Sequence, residues 1–432
     1  MILNLSGLYN WTVNIPVSMD YFWKSENALY AIYKTWIVVH HSDDIWNCLS
    51  ITRYGFTSFS NRHRRLLDRW RERLVWLTNI YSIFYLTMLI IYVATTLVIS
   101  DDISPVKNYD GVISYYRQNA MDFYFIVSDK TYNENYYMFY FFEVLFYFLL
   151  TTLFLVFDIL FVTLCFGICC QMQIICSSFE SVGHKSLSVS PSIIIDNQAE
   201  NKKISSNKHD LIYDELKTIT MDHQAIMEKY EKFIFIFRRV MLLQIFISSI
   251  SVIVLWFTFI MGFSDDDRFS ASKVVLKNTF CSIPPISFQI FMVCYLFGKI
   301  HDQRDSIIFA LYSSNWTEMD MKCKKFILLS MKLINANNKD LKFTRTKIVN
   351  LEMFFKTMSN CYTVISVLNI DHKHNFIEYL HWFLIKFSTY NKVQHRNNCK
   401  KLVKRDGETE CLLCQLIIIL NLQFIDLKTL RI

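Results

Sequence analysis

Apolar residues in this chain are concentrated in long blocks separated by polar loops. Residues 74–99, 136–179, 233–263 and 274–300 each form a block long enough to cross a bilayer as a helix. The block 136–179 would be about 66 Å long as one helix, far more than a bilayer is thick. No turn residue lies near its middle, and Gly167 comes well past it, so it predicts one tilted helix that projects beyond the membrane. Residues 348–370 make a further block of bilayer length, with Thr357, Ser359, Asn360, Thr363 and Ser366 spread along it. Before it, 306–334 predicts an amphipathic helix. Met319, Cys323, Phe326 and Leu333 form one stripe, flanked by Ile327, Met331 and Ile334, while Lys322, Lys324, Lys325 and Lys332 stay solvated.

The start of the chain is less regular. Residues 28–39 are apolar but short, and His40, His41, Asp43 and Asp44 interrupt them. One marginal span is expected over 36–59. Residues 182–207 are rich in Ser and Asn without helical periodicity and predict a disordered loop. Residues 210–232 regain helical character, with Glu228, Lys229, Glu231 and Lys232 as solvated charges. Pro284 and Pro285 should kink the block that contains them and free backbone carbonyls.

Composition agrees with a polytopic, all-α membrane protein. Of 432 residues 53% are hydrophobic and 16% aromatic, with only eight glycines and five prolines, and a soluble chain carries more charge and more turn-formers. Residues 1–22 lack a basic start and a sustained apolar run, so no signal peptide is expected. The net charge of +7 reflects topology, not a nucleic-acid partner. Lys and Arg number 6, 9 and 10 in 60–73, 177–239 and 299–347, against 3 and 2 in 101–135 and 264–273. The first three segments are therefore expected in the cytoplasm. That places the C-terminus outside, opposite to a rhodopsin-like, G-protein-coupled receptor.

The chemistry is sparse. There is no Walker-type loop, no Gly-x-Ser-x-Gly and no His-Glu-x-x-His, so no catalytic residue and no cofactor are expected. Cys165, Cys169, Cys170 and Cys176 belong to one apolar block and suit packing. Cys411 and Cys414 form an isolated pair without a second pair or a suitably spaced histidine, so no metal site is expected. Asp158 stands inside an apolar block. Such an acid is costly there, and either a function or a partner on another helix would account for it.

Ala310, Tyr312 and Trp316, the basic helix after them, Leu351 with Phe354, and Tyr362-Thr363 before Val367-Leu368 follow one another in an order that resembles the C-terminal signature of insect odorant receptors. Asp158, Phe161 and Gln171 resemble a further pattern of that family. The resemblance covers roughly 37–370. It implies a seven-helix bundle, here with a shortened first span, inverted relative to G-protein-coupled receptors. The organisation would be an N-terminal region 1–61, a bundle 62–300 with a long cytoplasmic loop near 180–232, an anchor helix and connector 301–347, and a last span 348–370. Residues 371–432, with an apolar run at 412–425 too short to span, depart from the family.

The resemblance also implies a function: the odorant-specific subunit of a heteromeric, tetrameric, ligand-gated cation channel. The obligate co-receptor, a small volatile odorant and the lipid bilayer would be its partners, in the plasma membrane of olfactory dendrites. The last span would line the pore, with Val367 as the apolar constriction beside Leu368, and Ser359, Thr363 and Ser366 as wetted positions; ordinary helix packing is the competing account of these hydroxyls. Trp316, Met319, Cys323, Phe326 and Leu333 would serve subunit contact. The outer halves of the spans offer Tyr92, Thr95, Thr96, Phe141, Glu143, Phe148, Trp256, Phe259 and Phe280 as pocket candidates, since aromatic walls suit small volatiles. A gustatory receptor channel is the alternative, although no Gln-Phe follows Tyr362; a misassembled, non-functional product is another.

Overall fold

The computed structural model describes residues 15–98, 103–107, 112–117, 119–121, 128–184, 198–261, 273–336 and 348–370. The helices are α1 (Ile15–His40), α2 (Ser42–Leu49), α3 (Arg64–Val98), α4 (Asp129–Glu134), α5 (Tyr136–Ser181), α6 (Gln198–Met261), α7 (Lys273–Tyr312), α8 (Met321–Ala336) and α9 (Leu351–Ile370). Among the described residues α3, α5, α6 and α7 are both long and apolar enough to cross a membrane. Among the described residues the one sheet is a ribbon in the loop between α3 and α4, where Ile103–Lys107 pairs antiparallel with Ile113–Arg117. The chain separates into Met1–Tyr362 and Thr363–Ile432. Of the second unit only the helical end at Ile370 is described, so the expectations for 371–432 lie outside the described residues.

The first long helix is not where sequence reading expects it. No continuous span forms over 36–59; α1 ends at His40, and α2, a 3-10 turn at Ser50–Thr52 and a series of bends follow. Instead α1 is a 26-residue helix, about 39 Å long, that starts at Ile15. Its charges hide it from a hydropathy reading. Asp20, Lys24 and Lys34 are all buried, and each is paired: Lys24 with Asp20 one turn away, Lys34 with Asp158 on α5. A second acid of α1, Glu26, accepts a hydrogen bond from the Ser251 hydroxyl of α6 at 3.3 Å.

The centre of the bundle is made by α5, α6 and α7. Phe161 on α5 meets Phe233 and Phe237 on α6 and Phe297 on α7 at ring separations of 5.7–5.8 Å. As expected of its length, α5 is a single helix of 46 residues. The helix α6 is longer still, 64 residues or about 96 Å, and begins at Gln198. It therefore takes in 198–207, where a disordered loop is expected from composition. The helix α7 runs through Pro284 and Pro285 without interruption in its assignment.

Two close approaches fix the end of the bundle where α5 finishes. Gly167 lets the 3-10 turn lie against α5: a Cβ there would stand 3.0 Å from Ile51 Cγ2. Gln171 holds the same turn, donating to the Ile51 carbonyl at 3.0 Å while accepting from the Thr57 hydroxyl at 3.1 Å. Beyond the end of α5, Gly183 adopts φ +79°, a conformation natural to glycine. There the Val182 carbonyl accepts the Asn315 backbone N–H at 3.2 Å. Asn315 lies in a bend after Tyr312, followed by a 3-10 turn at Trp316–Glu318. The expected single helix 306–334 is thus two helices, α7 and α8, broken where the chain docks onto the end of α5.

Candidate ligand cavity

Four helices leave a cavity between them, each giving one face at three- to four-residue spacing. From α1 come Trp23, Lys24 and Asn27; from α3, Tyr85, Met88, Leu89 and Tyr92. From α5 come Tyr147, Leu150, Thr151 and Phe154; from α7, Cys281, Ser282, Pro285, Ile286 and Gln289. The space between atoms is about 800 Å³, part of it open to the surroundings. Its walls are mostly apolar and aromatic, the usual make-up of a small-molecule site. Pro285 contributes directly: lacking an N–H, it leaves the carbonyl four residues back, that of Cys281 on the same cavity wall, without its helical donor.

The loop between α3 and α4 reaches this cavity through Met121. The Met121 N–H donates to Glu143 at 2.7 Å, and the Tyr92 hydroxyl donates to the Ala120 carbonyl at 3.1 Å. Glu143 also accepts from the Tyr132 hydroxyl at 3.0 Å, and Tyr132 in turn accepts from Asn119 at 2.8 Å. A buried carboxylate in this position ties the roof to the first turns of α5.

The floor is polar. Gln289 donates from its amide to the Tyr85 hydroxyl and, at 3.4 Å, to Asp158. Asp158 accepts from Tyr81 at 2.7 Å and pairs with Lys34 at 2.7 Å. The Lys34 ammonium also lies 4.6–5.0 Å from the ring centres of Tyr30, Phe154 and Phe157. The charge that stands out in the sequence thus has a full set of partners, as a buried ion needs.

The predicted pocket residues divide into three groups. Tyr92 lines the cavity. Thr95, Thr96 and Glu143 support its rim: Thr95 donates to Asn278 at 3.0 Å, Thr96 to the Tyr92 carbonyl at 3.1 Å, and Glu143 holds the roof. The other five are elsewhere. Phe141 and Phe148 are 63% and 45% exposed on the outside of the bundle. Trp256, Phe259 and Phe280 form a separate aromatic chain between α6 and α7, with ring separations of 5.8 and 5.5 Å. Sequence reasoning missed the α1 wall, Tyr147 and Gln289. The signal for Tyr147 was its place in register with Thr151 and Phe154 on one helical face.

Of the pore candidates, Ser359 and Thr363 are exposed, and the side chains of Ser366, Val367 and Leu368 lie outside the described residues. The first part of α9 packs on the bundle through Phe354 against Phe291 at 5.5 Å, and Cys361 approaches the Ser249 carbonyl at 3.7 Å. Of the subunit-contact candidates, Met319 and Cys323 are buried within this chain, Phe326 packs edge-on to Tyr213 at 5.5 Å, and Trp316 neighbours Tyr312 at 6.1 Å. Leu333 is exposed, as are Leu328 and Leu329.

The family model described as 7tm Odorant receptor matches residues 19–362, most of the chain and all four cavity walls. The chain belongs to the 7tm odorant receptor family. The receptor's fold is that of solved relatives: the insect olfactory receptor OR5 from Machilis hrabei is 14% identical with a TM-score of 0.60, and the match covers 85% of this chain and 86% of that one. The same receptor in complex with eugenol is also 14% identical, with a TM-score of 0.61, and the match covers 85% of this chain and 87% of that one. Among proteins with curated descriptions, none matches the receptor's sequence.

Proposed function

We propose that this odorant receptor is the odorant-specific subunit of a heteromeric, ligand-gated, non-selective cation channel, and that the cavity between α1, α3, α5 and α7 takes the volatile ligand. The observation that carries the reading is the cavity itself, an aromatic-walled space reached by a loop in a chain of this family. The eugenol complex of the related receptor supports a small aromatic volatile as the kind of ligand. The charge bias between loops supports a cytoplasmic anchor helix and an outward-running α9. Ligand binding gates the channel only by favouring the open arrangement over the closed one. Val367 serves as the constriction, and Leu328, Leu329 and Leu333 give α8 an apolar face for a neighbouring subunit.

The test is co-expression with the odorant receptor co-receptor and recording of current against a panel of volatiles. An evoked cation current that needs both chains and survives a block of G-protein signalling is the expected result. Leu89→Trp, which fills the cavity, should abolish it while leaving surface expression intact. A current that ignores Leu89→Trp removes the ligand from this cavity, and a current lost with G-protein signalling removes the channel.

A further inference from the structure

The cavity wall contains a tyrosine hydroxyl without a hydrogen-bond partner among the described residues. The Tyr147 ring stacks on Tyr92 with centres 4.6 Å apart and planes 19° apart, which fixes its orientation. Among the described residues nothing hydrogen-bonds its hydroxyl. The neighbouring polar groups of the wall are committed. Thr151 donates to the Tyr147 carbonyl at 2.8 Å, Ser282 to the Asn278 carbonyl at 2.8 Å, and the Asn27 amide to the Trp23 carbonyl at 2.7 Å. Lys24 is matched by Asp20, which also accepts from the Trp23 indole at 2.9 Å.

We infer that Tyr147 is the specificity-determining anchor of the cavity, and that the ligand is a neutral, mostly apolar volatile with a single acceptor oxygen: an ether, ester, ketone or phenol. The inference rests on the ligand-cavity reading above. Three physical points lead to it. A donor held in an apolar wall gains from an acceptor and loses from a hydrocarbon that leaves it unpaired. The Lys24–Asp20 pair is already neutral as a unit, so a carboxylate ligand would bring a second anion against Asp20 and a cationic amine a second cation against Lys24. Much of the rest of the lining, among it Met88, Leu89, Leu150 and Ile286, offers apolar contact surface.

The experiment is equilibrium binding to the full chain in detergent micelles, with methoxybenzene, toluene and benzoate as probes of similar size. Methoxybenzene is expected to bind about five-fold tighter than toluene, the worth of one net hydrogen bond, and benzoate no tighter than toluene. Tyr147→Phe keeps the stacked ring and should erase the ratio without weakening toluene. Phe148→Ala, whose exposed ring lies outside the cavity, should leave the ratio unchanged. A ratio that survives Tyr147→Phe overturns the anchor. So does one erased equally by Phe148→Ala, which would trace it to a general disturbance of α5. Benzoate as the tightest probe overturns the neutral class. If no probe binds, or if toluene binding is indifferent to Leu89→Trp, the cavity reading itself has failed and the anchor goes with it.

Discussion

Lys24 and Lys34 lie on the same helix, both are buried, and each is paired with a carboxylate among the described residues. They differ in where that partner comes from. Lys34 reaches across to Asp158 on α5, which is also held by Tyr81 on α3 and Gln289 on α7, so one ion pair joins four helices. Lys24 finds Asp20 one turn back on its own helix, so its charge is neutralised before any other helix arrives. The first arrangement is a crosslink, sealed by aromatic rings. The second is a local pair on the cavity wall. Two identical side chains in one helix thus stand in different settings, and the reach of the partner decides which.

Breaking the crosslink should produce the largest effect. Asp158→Ala leaves the Lys34 ammonium buried and unpaired, which costs about 3–5 kcal/mol; loss of the chain from the cell surface is the expected readout. The double variant Lys34→Met with Asp158→Leu removes both charges and should recover most of the surface signal. Recovery by neither route would mean the pair does not hold the bundle together. Gly167→Ala comes next, because the new Cβ meets Ile51 Cγ2 at 3.0 Å and forces the 3-10 turn away. Overpacking of this kind costs about 1–3 kcal/mol, visible as a lower thermal midpoint in detergent with odorant preference unchanged.

The wall should respond more mildly. Lys24→Met removes one half of a local pair and leaves Asp20 with the Trp23 indole. We expect a smaller loss of stability than for Asp158→Ala, together with a changed ranking of ligands, measured as thermal shift and as odorant dose–response. An equal loss of stability would erase the contrast between the two lysines. Smallest of all should be Phe148→Ala. Its exposed ring lies outside the cavity, and an unchanged dose–response is the expected outcome. A shifted response would make the outer face of α5 part of recognition.

Much of the fold was legible in the pattern of apolar blocks. The long single α5, the apolar halves of α3, α6 and α7, and α9 all follow from length and hydropathy, because a bilayer demands about twenty apolar residues whatever the neighbours are. The helix α1 was not legible. Hydropathy counts Asp20, Lys24 and Lys34 as charges, while in the bundle they are paired and buried. The break between α7 and α8 was hidden for a related reason: 306–334 has helical periodicity on both sides, and the interruption comes from Asn315 bonding to Val182, a contact distant in sequence.

The candidate site shows the same division. Tyr92, Thr95, Thr96 and Glu143 were within reach of a reading that looked for aromatic and polar residues in the outer halves of spans. Phe141 and Phe148 met the same description and face outward, since residue type does not say which side of a helix points inward. By itself the sequence determined the helical membrane class, the lengths of the blocks and the charge bias of the loops, all of them sums over residues that need no partner. Only the tertiary structure decided which charges pair, which aromatic rings line a cavity and that Tyr147 stands on its wall with no hydrogen bond to its hydroxyl among the described residues. Those outcomes depend on which helices meet and at what rotation, and that is a property of the packed bundle.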